Sequence, residues 1–322
     1  MNEHVVNRRI PADVARTMII AAVGLLVSSG CSNRAAYSEA DARARFRAKG
    51  ERIRVLGERS ILELNDATDA DLEYAAQLHG LTDLSIHPVY DTAVTDAGLA
   101  HLSSMRSLVN LSIMVPGITD AGLVHLKGLT GLQYLSLREM QITEDGLKSL
   151  KGLKNLRSLN LHGSAITDEG LSHLRGLGQL EHLSLWNTRV SDEGLKHLAG
   201  LKNLRSLNLW GTKVTNAGLG YLRSADLHAL QLSGKHVTDE TLAILKGFPN
   251  LKELNLAITK VTDAGVVHLK AMERLRLLTF ETTGPTEAAI AELKRDLPHL
   301  KVRGPQQMAG ADAEDASAQP ER

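Results

Sequence analysis

Histidine recurs at one position of a repeated segment, as His101, His125, His173, His197 and His268, with Ser149, Tyr221 and Ile244 at the same place in other copies. Imidazoles in a row suggest a transition metal, but ligation needs side chains that converge on one point and are oriented by neighbours. Equivalent positions of a repeat are spread along it instead, and each of these histidines directly precedes a leucine. We read them as a consensus position beside a buried residue, with no metal. Threonine or serine followed by an acid recurs as well, as Thr95-Asp96, Thr119-Asp120, Thr143-Glu144, Thr167-Asp168, Ser191-Asp192, Thr238-Asp239, Thr262-Asp263 and Thr286-Glu287. Calcium needs oxygens arriving from several positions, whereas a hydroxyl followed by an acid before a helical apolar run is a helix start. The chain has no Gly-rich phosphate loop, HExxH or CxxC arrangement,. Serines and histidines share one strand face, but a serine nucleophile also needs a positioned base and an oxyanion hole. The reading is therefore of no enzyme and no cofactor.

The one cysteine, Cys31, follows a segment that reads as an export signal over residues 1–30. Arg8, Arg9 and Arg16 precede the apolar run Met18 to Val27, which is short for a bilayer span and ends in Ser28, Ser29 and Gly30,. This resembles a bacterial lipoprotein signal, which implies acylation of Cys31 and a lipid anchor. Ser28 stands where such signals usually carry Leu, Val or Ile. Ser32, rather than Asp, follows the cysteine, and by the same resemblance that favours the outer membrane. The expected location is the cell envelope as an outer-membrane lipoprotein, the alternative being a secreted or periplasmic protein. A single cysteine also leaves an exported chain no disulfide to misform.

These positions are set by a repeat. Leu108, Leu132, Leu156, Leu180 and Leu204 are separated by 24 residues each, and after one deletion the series continues at Leu227, Leu251 and Leu275. KNLRSLNL occurs identically at Lys154 and Lys202. A period of this length predicts a stacked array. Within one unit, Leu207 and Leu209 alternate with Ser206 and Asn208, the pattern of a strand with one buried face,. Thr215 then starts a short helix carrying Leu219 and Leu222,. Gly128, Gly152, Gly176, Gly200 and Gly247 are expected to end the helices in the left-handed conformation,. Stacked units put strand beside strand, about 4.8 Å apart, and the wider helices force the strands to the inside of a curve.

The segment LxxLxLxx followed by TDxGLxxL resembles the leucine-rich repeat family, in the TD-x-GL subtype of bacterial GALA-like and F-box-associated arrays. The resemblance implies an α/β leucine-rich-repeat solenoid, a horseshoe with parallel strands on the concave face and short helices on the convex face. It covers residues 61–303 in about ten units,. Residues 31–60 read as an N-terminal tether or cap, and 304–322 as a disordered polar tail,. The family's turn asparagine is replaced here by Pro116, Met140, Ser164, Thr188, Thr212, Lys235, Thr259 and Thr283, which suggests a hydroxyl ladder in the middle of the array. The step from Leu81 to Leu108 is longer than the rest, which places a bulge within residues 87–94.

Residues between the strand leucines point from the concave sheet as columns. One column reads His87, Met114, Arg138, His162, Trp186, Trp210, Ser233, Ala257 and Glu281, and holds both tryptophans of the chain. A polar strip runs beside it through Ser136, Asn160, Ser184 and Asn208, and a third column holds Tyr134 and His182. Large aromatics aimed at solvent are typical anchors of interfaces. The candidate partner-binding residues are thus Tyr134, Arg138, His162, His182, Trp186 and Trp210. With 37 basic and 37 acidic residues, no net field draws the chain to nucleic acid,. The expected function is that of an exported, lipid-anchored binding protein whose concave face recognises a macromolecular partner, a protein. Two alternatives are an intracellular F-box-like ubiquitin-ligase substrate adaptor, against which no F-box-like segment precedes the array, and a structural envelope scaffold.

Overall fold

Leucines alternating with small polar residues put one side of each strand in a core and the other in solvent. A computed structural model describes this arrangement over residues 37–87, 93–280 and 284–304. Twelve strands form one sheet in chain order. They are β1 (Ile53–Leu56), β2 (Arg59–Asn65), β3 (Asp83–His87), β4 (Asn110–Ile113), β5 (Tyr134–Leu137), β6 (Ser158–Asn160), β7 (His182–Ser184), β8 (Ser206–Asn208), β9 (Ala229–Ser233), β10 (Glu253–Ala257), β11 (Leu277–Phe280) and β12 (Lys301–Arg303). The first pair is antiparallel, and the pairs from β2 onward are parallel. Leu111, Leu135, Leu159, Leu183, Leu207, Leu230, Leu254 and Leu278 stand opposite one another in this register. None is more than 2 % exposed, so each packs on its counterparts in both neighbouring repeats,.

The strands line the concave face and the short helices the convex one. A typical helix is a single turn, such as Asp96–Leu99, that tightens into a 3-10 segment, here Ala100–Ser104. The helix-ending glycines depart from expectation. None of Gly128, Gly152, Gly176, Gly200 and Gly247 has a positive φ. The 3-10 turn delivers the chain to the next strand without a left-handed residue. Positive φ falls instead at the strand exits, at Glu139 (56°), Gly163 (73°), Asn187 (53°), Gly211 (70°), Gly234 (105°) and Ile258 (53°). The hydroxyls at the asparagine position form no ladder either. Ser164, Thr188 and Thr212 donate to Leu161, Leu185 and Leu209 carbonyls at 2.6–2.7 Å, each closing its own turn. The bulge expected within 87–94 falls mostly outside the described residues.

The recurring acid does more than face its own helix dipole. Asp96 accepts from Thr119 of the following repeat, from the backbone N–H at 2.8 Å and the hydroxyl at 2.6 Å. The same pair of bonds links Asp69 to Thr95, Asp120 to Thr143, Asp168 to Ser191, Asp192 to Thr215, Asp239 to Thr262 and Asp263 to Thr286. The carboxylate lies where a side chain on the next repeat's TDxGL glycine would go. A Cβ on Gly122, Gly194 or Gly218 would sit 2.4, 2.5 or 2.3 Å from the preceding aspartate's Oδ1. Where the acid is Asn216, the glycine is replaced by Thr241, whose hydroxyl donates to Asn216 Oδ1 at 2.5 Å.

The first repeat has no predecessor to supply a carboxylate. Asp71, at the glycine position of that copy, turns back onto Thr68 N–H at 2.9 Å and is fully buried. Burial pushes its carboxyl up, but hydrogen bonds from Lys49, Arg45 and Thr68 outweigh this and hold its pKa below the ordinary value. Lys49 and Arg45 lie on or beside the helix Glu39–Ala48, which buries Ala42 and Phe46 against this end of the core.

Candidate recognition face

The register aligns the expected columns. Tyr134, Ser158, His182 and Ser206 are successive partners, as are Ser112, Ser136, Asn160, Ser184, Asn208, Gln231, Asn255 and Thr279. In the column at the strand exits, three rings form one continuous stack. His162 and Trp186 lie 4.0 Å apart between centroids with planes 7° apart, and Trp186 and Trp210 lie 5.0 Å apart at 13°. All three are half-buried. Stacking covers the ring faces, so what the rings offer to solvent is their edges.

Backbone geometry holds the stack. Gly163 N–H donates to the Trp186 carbonyl at 2.9 Å, and Asn187 N–H donates to the Trp210 carbonyl at 2.8 Å. Each turn is thereby clamped to the next repeat one residue past its ring. The left-handed conformation at Gly163, Asn187 and Gly211 makes that exit possible, and glycine or asparagine bears it at least cost,. Asn160 Oδ1 accepts from His162 N–H at 3.0 Å, and Asn208 Oδ1 accepts from Trp210 N–H at 2.9 Å. The asparagine in both copies of KNLRSLNL therefore positions a ring. Sequence reasoning had assigned it only to a polar strip, although its recurrence two residues before a ring was a visible signal.

The six candidate residues do not form one compact cluster. His162, Trp186 and Trp210 are in contact, and Arg138 occupies the preceding place in their column. Tyr134 and His182 lie four residues earlier on their strands than Arg138 and Trp186. At about 3.3 Å per residue that puts them roughly 13 Å away across the face. His162 Nε2 lies 3.3 Å from Glu139 Oε1, while its Nδ1 is sealed from solvent without a partner. Burial lowers the His162 pKa, with the Glu139 charge opposing and the Arg138 charge assisting. Arg138 Nε and Ser136 Oγ are likewise buried without a hydrogen-bond partner.

The convex histidines are spread out, as a column must be. Arg175 Nε donates to His197 Nδ1 at 3.0 Å, and His173 Nδ1 lies 3.3 Å from Ser172 Oγ. Among the described residues no cluster of histidine, cysteine and acids has the arrangement of a metal site, and no helix is long and apolar enough to cross a membrane. Cys31, the expected signal and residues 305–322 lie outside the described residues.

A family model described as Leucine Rich repeat matches residues 152–174. No curated protein sequence matches the chain. Among solved structures, an internalin (inlF) from Listeria monocytogenes has a TM-score of 0.54 at 19% identity, with 97% of this chain and 98% of that one covered. An internalin C2 (inlC2) from the same organism has a TM-score of 0.42 at 21% identity, covering 86% of this chain and 100% of that one. The likeness to the first is one of fold. Repeat, register and this likeness together make the chain a leucine-rich-repeat solenoid.

Proposed function

We propose that the chain is an exported, lipid-anchored leucine-rich-repeat protein of the TD-x-GL subtype, and that its concave face captures a protein partner. The observation that carries this reading is the His162–Trp186–Trp210 stack, half-buried on an open face beside a strip of small polar side chains. Ring edges flanked by hydroxyls and amides offer apolar area and hydrogen-bond donors together, the mixture found at the energetic centre of interfaces. Arg138 borders the stack, and Tyr134 and His182 extend the contact to the far side of the sheet. Cys31 acylation would tether the array at the envelope surface, most simply at the outer membrane.

The test is site-specific photo-crosslinking in the producing cells. A photoreactive residue at Ser184, on the concave strand β7, should yield one defined adduct. The same residue at Lys196, on the convex side, should not. Trp186→Ala with Trp210→Ala should remove the concave adduct without unfolding the array. Adducts from both faces that survive the double substitution defeat the reading. Fatty-acid labelling that persists in Cys31→Ser defeats Cys31 as the anchor, and an unlabelled cytosolic protein favours the adaptor.

A further inference from the structure

Charge is distributed unevenly over the proposed face. The chain is neutral overall, with 37 basic and 37 acidic residues. Yet the outward positions of β4 to β8 and of the ring column beside them carry no carboxylate at all. Their one permanent charge is Arg138. Of the carboxylates bordering this area, Asp83 is paired with Arg59 and Glu181 with Arg157, while Glu139 lies 3.3 Å from His162 Nε2, a contact that is an ion pair only when the imidazole is protonated. Elsewhere Arg43, Arg45, Arg54, Arg59 and Arg157 have ion-pair partners, and Arg189 and Arg205, which have none among the described residues, are exposed. Arg138 makes no ion pair or hydrogen bond among the described residues, although it is half-buried and its Nε is sealed.

A guanidinium held partly out of water without a counter-charge is unfavourable in the free protein and is well suited to accept one from outside. Only Nε is sealed, so the outer edge of the fork stays open to a two-point carboxylate contact,. Beside it, the buried Ser136 hydroxyl is also unpaired. The next places along the same column are the ring stack, about 5 Å per repeat away.

We propose that the partner segment carries an acidic side chain that pairs with Arg138, next to an apolar side chain laid against the edges of Trp186 and Trp210. This rests on the proposed recognition face and adds the chemistry of its ligand. The partner is an acidic–apolar protein segment, matched to the one unpaired cation among these outward strand positions.

The test is selection of a randomised peptide library displayed on phage against the full chain. Wild-type selections should converge on peptides with Asp or Glu near an aromatic or aliphatic residue. A synthetic consensus peptide should shift the intrinsic tryptophan fluorescence, which in this chain comes only from Trp186 and Trp210. Changing the peptide's acid to its amide should weaken binding at least tenfold to wild type, and less than twofold to Arg138→Gln. Circular dichroism and a melting curve establish that Arg138→Gln is folded, and Arg138→Met serves as a second variant. Peptides without acid enrichment, no convergent peptides, or equal loss on amidation in both proteins overturn the proposal. Selections that proceed unchanged on Trp186→Ala with Trp210→Ala overturn the recognition face itself, which is a distinguishable result.

Discussion

Gly194→Ala should destabilise the array, although the same change in an ordinary helix stabilises by roughly 1 kcal/mol. The added Cβ would lie 2.5 Å from Asp168 Oδ1, with Leu171 Cδ1 and Val190 Cγ1 at 3.1 Å. The carboxylate must move, and it holds Ser191 through the N–H at 2.7 Å and the hydroxyl at 2.6 Å. Hydrogen bonds to a charged group contribute about 1.5–3 kcal/mol each, and the lower end applies at this part-buried position. Losing both costs about 3 kcal/mol, and the alanine returns about 1, leaving a net loss of about 2 kcal/mol. Asp168→Ala alone should cost about 3 kcal/mol. In that background Gly194→Ala should stabilise by about 1 kcal/mol, because the clashing oxygen is gone. The measurement is a double-mutant cycle on urea midpoints, with a coupling of about 3 kcal/mol expected. Gly170→Ala is the control, since the preceding acid there, Glu144, sends no carboxylate toward it. Additive effects in the cycle, or a stabilising Gly194→Ala, would refute the relay between repeats.

Glu144→Asp should stabilise the chain by about 1 kcal/mol, since the Glu144 carboxylate is not at the place beside Gly170 from which the aspartates of other repeats bind the next hydroxyl residue, and a shorter side chain restores it,; an unchanged urea midpoint counts against this. Leu183→Ala should cost about 2–5 kcal/mol, because the cavity opens between two neighbouring repeats; calorimetry showing a negligible loss would contradict the register. Burial lowers the pKa of His162, His173 and His197 below 6.5. The unfolded chain therefore takes up protons first, so stability should be full above that pH and fall as pH drops toward 5. His162→Phe should flatten part of that slope, and a slope equal to wild type would sink the assignment.

The sheet was legible because a step of 24 residues with alternating leucines leaves one register,. Tyr134, Ser158, His182 and Ser206 do stand in one column, and Trp186 beside Trp210 follows from the same count. What the count could not supply is contact between side chains of different repeats. The acid of each helix start was read within its own helix, where capping and the dipole account for it. Its partner is the hydroxyl residue of the following repeat, and only the fold brings the two within 3 Å. One signal was present: Asn216 and Thr241 depart from the Asp and Gly consensus together, as residues in contact would.

The ring stack tests how far such columns can be read. Adjacent places in a column are about 4.8 Å apart, set by strand pairing. That spacing brings planar rings close to stacking distance, so His162, Trp186 and Trp210 at consecutive places are nearly obliged to stack. The exits that follow the rings, Gly163, Asn187 and Gly211, adopt positive φ. The next place holds Ser233, whose hydroxyl accepts from Gly211 N–H at 2.8 Å, in place of the carbonyl used by the two preceding turns. The stack thus ends where the clamp changes character, and the aromatic face is bounded by backbone hydrogen bonding as much as by residue type. Arg138 sits at the other end, beyond His162, and its position there gives the face a polarity: a cation at one end and apolar edges at the other. A partner that reads both must lie along the repeats, across the strands, in a single orientation.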